Sequence, residues 1–126
     1  MQNNKEKLED FKTAISSTVK SISNSQKVEI SFGNEISDTN KYTIKLPNIE
    51  SVSNKINFEE IRAAADSKSL RHRFSNKETF KKFEPEGNIS KKLYDISEKI
   101  RCEKIGTSYF KGVKNNIENF YLIINI

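Results

Sequence analysis

The sequence predicts an α+β fold that is predominantly α, an antiparallel helical bundle with a small β-hairpin near the amino terminus. Three observations predict it. Apolar residues recur at helical spacing in four long segments, period-two alternation marks two neighbouring stretches before residue 47, and the turns between the later segments are short.

Leu8, Phe11, Ile15, Val19 and Ile22 stand three or four residues apart, one stripe on a helix over about 5–23. Val28, Ile30 and Phe32 then alternate with Lys27, Glu29 and Ser31, and Tyr42, Ile44 and Leu46 repeat the pattern. Gly33, Asn34, Asp38 and Asn40 supply turn residues between them, so an antiparallel hairpin is the economical expectation. Pro47 to Asn57 reads as a connection. Asn57 followed by Glu60 resembles an N-cap with its reciprocating acid, and it opens a helix over about 58–74 whose buried face begins with Phe58, Ile61, Ala64 and Ala65 and whose run Ala63 to Ala65 permits close helix approach. A short helix over 78–83 carries Phe80 and Phe83, positions read as core, and Pro85 and Gly87 end it. Ile89, Leu93, Ile96 and Ile100 form the apolar stripe of a helix over about 89–104, with Gly106 at the place of a C-cap. Phe110, Val113, Ile117 and Phe120 define the last helix.

At 126 residues the chain is expected to form a single domain, 1–126. Only 34% of residues are hydrophobic, which implies a thin core beneath a generous polar surface. One cysteine, Cys102, rules out an internal disulfide, and one histidine beside it cannot complete a structural zinc site. No apolar run approaches the roughly 18 residues of a membrane helix, and MQNNKEKLEDF lacks the apolar core of a signal peptide. A cytoplasmic location and no membrane partner are the expectation. The net charge of +5 is concentrated between Arg62 and Lys82, where seven bases face two acids. Such a cluster suits nucleic acid, an acidic partner or a bound anion, and is equally the pattern of a solvated surface.

Motifs for catalysis are missing. Gly106 and Gly112 are one residue too far apart for a P-loop, and no Lys-Ser/Thr pair follows. The Asp-x-Ser-x-Ser pattern of a metal-ion-dependent adhesion site fails at Asp66, where Lys68 replaces the first serine, and at Asp95, where Lys99 replaces the second. Ser67, Ser69 and His72 would be the tempting nucleophile group, but Ser69 and His72 lie three apart on a helix without an oxyanion hole, so His72 reads as a surface residue. Cys102, mid-helix beside Ile100, reads as a partly buried bystander. The densest polar pattern is EIRAAADSKSLRHRF. Arg62 and Asp66, one helical turn apart, can pair, and Arg71 and Arg73 follow. Lysine is the default base of this chain, 18 against 4 arginines, yet three arginines fall within the twelve residues from Arg62 to Arg73. Arginine's planar fork suits bidentate pairing, which points to a fixed interaction site or an ion-pair network.

The stretch IRAAADSKSLRHRFSN resembles the R-G-x-A-D-x-x-A-L-R-x-R segment near the amino terminus of the T subunit of aerobic cobaltochelatase, the CobT family. PEGNISKKLYDISEKIRCEKIGTSYFKGVKNNI resembles the block that follows it, at Pro85, Gly87, Tyr94, Asp95, Glu98, Arg101, Glu103, Ile105, Gly106, Gly112, Val113, Asn116 and Ile117. The opening LEDFKTAISSTVKSIS and VEISF are also similar to that family's start. The resemblance implies a part in ATP-dependent cobalt insertion into hydrogenobyrinic acid a,c-diamide during aerobic cobalamin synthesis. It implies as partners a large N subunit that holds the tetrapyrrole and an AAA+ S subunit that hydrolyses ATP, the complex using ATP, magnesium and cobalt. The family's T subunit is longer, with an acidic middle and a carboxy-terminal von Willebrand factor A domain bearing the adhesion site. This sequence stops before both, so residues 1–126 are expected to be the amino-terminal domain, a truncated product or a fragment of a split gene. The expectation is a non-catalytic module with no catalytic residue, metal ligand or bound cofactor of its own. Its partner-binding residues are expected to be Arg62, Asp66, Arg71 and Arg73, then Glu98, Arg101 and Glu103. The alternative is a small basic nucleic-acid-binding domain, with Phe74, Phe80 and Phe83 near the cluster; it is disfavoured by the modest charge and by the lack of a stacking motif.

Overall fold

The computed structural model describes residues 4–33, 42–48 and 55–124. Five helices and two short strands follow one another as α1 (Asn4–Ser23), β1 (Glu29–Phe32), β2 (Thr43–Leu46), α2 (Lys55–Phe74), α3 (Lys77–Lys82), α4 (Asn88–Tyr109) and α5 (Lys111–Ile124). No helix among the described residues is long and apolar enough to cross a membrane.

The first helix packs by the expected stripe: Ile15, Val19 and Ile22 are buried, with Leu8 and Phe11 half-buried against the core. It ends at Asn24, which takes the left-handed conformation (φ 57°), while the amides of Asn24 and Ser25 donate to the carbonyls of Ser21 and Lys20. Asparagine tolerates that backbone better than a branched residue would.

The two strands pair in parallel, Glu29 opposite Thr43 through Phe32 opposite Leu46, and this corrects the antiparallel hairpin. Alternation is blind to direction. Ile30 beside Ile44 and Phe32 beside Leu46 share one face in this register, and reversing one strand leaves the same period-two signal in the sequence. Most of the expected turn, including Asn34, Asp38 and Asn40, lies outside the described residues.

The centre of the fold is α2, which touches α1, β2, α4 and α5. One of its ends enters a core of Ile15, Val19, Val28, Phe32, Ile44, Leu46, Ile61 and Ala65. The other contributes Leu70 to a second core with Ile22, Cys102, Val113 and Ile117. The helix begins at Lys55, so Asn57 lies within it and is not its N-cap. In α3 the cap is Asn76, whose side chain accepts from the Thr79 amide at 2.9 Å. Phe80 stacks on Tyr94 of α4 with centroids 4.4 Å apart, but Phe83 is exposed and is not a core residue.

Two expectations for the fourth helix are corrected. It does not stop near 104 but runs to Tyr109, because Gly106 serves as a packing site and not as a cap. A Cβ at position 106 would fall within 2.7 Å of three atoms of the Leu70 side chain. Its stripe Ile89, Leu93, Ile96 and Ile100 faces outward, and the residues that α4 buries are Cys102, Glu103 and Gly106. Only Phe110 separates α4 from α5.

Candidate functional site

The polar residues of α2 point to every neighbour. Arg62 lays its guanidinium over the ring of Phe11 on α1, 5.6 Å from the centroid. One turn later Asp66 is 3% exposed, and its carboxylate accepts from Asn116 of α5 at 2.9 Å. Burial pushes the Asp66 carboxyl above its ordinary value, against the opposing effects of the Asn116 bond and the Arg62 charge. Ser67 Oγ donates to Glu103 of α4 at 2.7 Å. Arg71 meets Asp95 of α4 at 2.8 Å and lies over the Phe80 ring of α3. Arg73 donates to the Ile22 carbonyl of α1 at 3.3 Å, between the rings of Phe74 and Phe110.

The second group answers from α4. Arg101 donates to Glu98 at 2.5 Å and to the Phe74 carbonyl, the last residue of α2, at 2.8 Å. Glu98 also accepts from Ser75 Oγ at 2.6 Å. The Arg101 bond, followed by that of Ser75, holds the Glu98 carboxyl below the usual carboxylate range against a burial effect of opposite sign. Two turns of α2 and the α2–α3 joint are thereby tied to one face of α4.

Glu103 is the most enclosed acid of α4, 7% exposed. It accepts from Ser67 and from the Tyr121 hydroxyl at 2.9 Å, with the Lys99 ammonium 3.8 Å away. Lys99 Nζ donates in turn to Tyr121 at 3.2 Å. These groups form the polar end of a cavity of about 180 Å³ whose apolar wall includes Ala63, Ala64 and Ile117. That volume is below the roughly 300–1,000 Å³ of organic-ligand pockets. Glu103, the enclosed acid of this cavity, is already engaged by Ser67, Tyr121 and Lys99.

All seven residues singled out by the sequence therefore reach a partner within the chain, and they meet on α2 and the inward face of α4. Arg62 and Arg73 remain solvent-exposed above their contacts, whereas Asp66 and Glu103 are buried. The partners that sequence reasoning missed are Ser67, Ser75, Asn116 and Tyr121. Asn116 carried a signal as one of the positions in the resemblance, and Ser67 as a member of the tempting nucleophile group, though not as the partner of Glu103. Ser69, from the tempting nucleophile group, is buried and donates to the Ala65 carbonyl at 2.5 Å. The Cys102 thiol is fully buried, and burial pushes its pKa up. Among the described residues no cluster of three His, Cys, Asp or Glu side chains could hold a metal ion. What this arrangement can do is fix charge: it sets a rigid basic segment on a frame of interlocked helices.

No solved structure matches the chain. The family model of cobalamin biosynthesis protein CobT matches residues 5–123, which include all five helices except the outermost residue at each end and every tie described above. By that match over nearly its whole length, the chain belongs to the CobT family and has a role in cobalamin biosynthesis.

Proposed function

We propose that the chain is a non-catalytic assembly or coupling module of aerobic cobaltochelatase, the complex that inserts cobalt into hydrogenobyrinic acid a,c-diamide with ATP and magnesium. Family membership over residues 5–123 is the observation that carries this reading. The chemistry of the folded chain supports it: Asp66, Asp95, Glu98 and Glu103 are spent on internal ties, the Cys102 thiol is buried, and the segment from Arg62 to Lys82 presents exposed bases to solvent. In this reading Arg62, Arg73, Lys81 and Lys82, all exposed, meet acidic surface on the AAA+ S subunit, with the N subunit as the further partner. Opposite charge steers such an encounter and makes it salt-sensitive.

Co-purification with the S subunit tests the reading. Reversal of Arg73, Lys81 and Lys82 to glutamate is expected to weaken assembly at least tenfold while the circular dichroism spectrum is unchanged. Assembly that survives the reversal overturns the interface. A titration with DNA and RNA runs beside it: a steep fall of affinity with salt would favour the nucleic-acid reading. Phe74 and Phe80 are already paired with Tyr109 and Tyr94, which leaves fewer rings for bases to stack on.

A further inference from the structure

The outward face of α4 is apolar. Ile89, Leu93, Ile96 and Ile100 are 77%, 61%, 50% and 56% exposed. Their four, three, four spacing is that of a helix–helix seam, and at 3.6 residues per turn its centre lies about 150° around the helix from buried Cys102. The stripe thus stands on the far side of α4 from the contacts with Arg71, Arg101 and Ser75. Four large aliphatic side chains on one face form a contiguous patch of the size, about 300–600 Å², that on a monomer is often a binding surface.

The charges bordering the stripe say what fits it. Lys92 and Lys99 line one side, and Ser90, Ser97 and Lys104 line the other. No acid of α4 is left open beside the stripe: Asp95 is paired with Arg71, Glu98 with Arg101, and Glu103, which the helical spacing sets on the Lys92 and Lys99 side, is buried against Ser67 and Tyr121. Lys99 is engaged by Glu103 and Tyr121, whereas Lys92 and Lys104 are exposed. Two copies of α4 would meet lysine against lysine in either sense, Lys99 opposite Lys104 if parallel and Lys92 opposite Lys99 if antiparallel. A like-charged border disfavours that pairing, and an acidic border favours it.

We infer that the stripe Ile89, Leu93, Ile96 and Ile100, bordered by Lys92 and Lys104, is the docking surface for an amphipathic helix of another polypeptide whose apolar seam is flanked by carboxylates. This surface uses no residue of the Arg62 to Lys82 segment, so the inference stands or falls apart from the proposed function.

The test uses the full chain and two synthetic helical peptides, each about three heptads long, with isoleucine and leucine on the seam. One carries glutamate and the other lysine on its borders, and either border keeps the peptide from pairing with itself. In fluorescence anisotropy the glutamate peptide is expected to bind at least tenfold more tightly than the lysine peptide. Leu93→Asp with Ile96→Asp is expected to abolish binding at an unchanged melting temperature, and Lys92→Glu with Lys104→Glu to reverse the preference. Equal binding of both peptides, or of neither, overturns the inference. So does a dimer of the wild-type chain in sedimentation that the Asp variant loses, because a second copy is then the occupant. A melting temperature lowered by the Asp variant also overturns it, since the chain's own residues then cover the stripe.

Discussion

Gly106 of α4 rests directly on the side chain of Leu70 of α2, with no room between them for a methyl group. Leu70 is fully buried, so it cannot swing into solvent to make space. Gly106→Ala is therefore expected to destabilise the fold by about 1–3 kcal/mol, the range of overpacking in a filled core, although alanine is the better helix former. Urea unfolding reads this as a lower midpoint at constant slope. The effect should shrink markedly in a Leu70→Ala background, where the methyl enters the vacated volume. A double-mutant cycle with no coupling would refute the contact.

Two carboxylates give the acid limb of stability opposite signs. Asp66 takes a higher pKa in the fold than in the unfolded chain, because burial penalises its charge. Its ionisation works against folding, so its contribution is most favourable below the unfolded value and declines as pH rises through the folded one. Glu98 takes a lower pKa, held by Arg101, so it adds stability above its unfolded value, and that stability is lost as pH falls through the folded value. Asp66→Asn is expected to be no less stable than the parent at pH 7 and to lose that advantage on acidification. Glu98→Gln should be less stable at pH 7 and converge with the parent in acid. Chemical denaturation across the range from pH 3 to 7 separates the two; matching pH profiles for parent and both variants would contradict these assignments.

Tyr121 supplies one of the donors to buried Glu103. Tyr121→Phe keeps the ring and removes the bond, leaving the carboxylate to Ser67 and Lys99, and is expected to cost about 1–3 kcal/mol. Ser67→Ala deletes a second donor, and the double variant should cost more than the sum of the two, because the acid then keeps only the 3.8 Å contact with Lys99. Thermal unfolding of the three variants measures it. Simple additivity would mean that water satisfies Glu103 as well as the two hydroxyls do.

Much of the fold was legible where a face of apolar residues meets the body. The stripe of α1 and the Ile61 and Ala65 positions of α2 are buried as their periodicity implies. Periodicity says which residues share a face, and not which face turns inward. On α4 the inward face is built from Cys102, Gly106 and polar groups such as Glu98 and Glu103, which carry no hydrophobic signal, so the outward stripe was the visible one. The strands show the same limit: alternation gave the burial of Phe32, Ile44 and Leu46, but neither the direction of pairing nor the burial of Ser31. The arginines were legible as a group with fixed partners. Which partners was not, because Arg71 finds Asp95 and Asp66 finds Asn116 across separations that no local pattern encodes.

The joint at Phe110 leaves no loop between the last two helices. Its amide closes the last turn of α4 on the Gly106 carbonyl, and its own carbonyl receives the Lys114 amide in the first turn of α5. A single residue bonded on both sides joins the end of one helix directly to the start of the next. Anything that binds the outer face of α4 therefore sits one residue in sequence from the helix that carries Asn116 and Tyr121, the partners of the two most enclosed acids, Asp66 and Glu103.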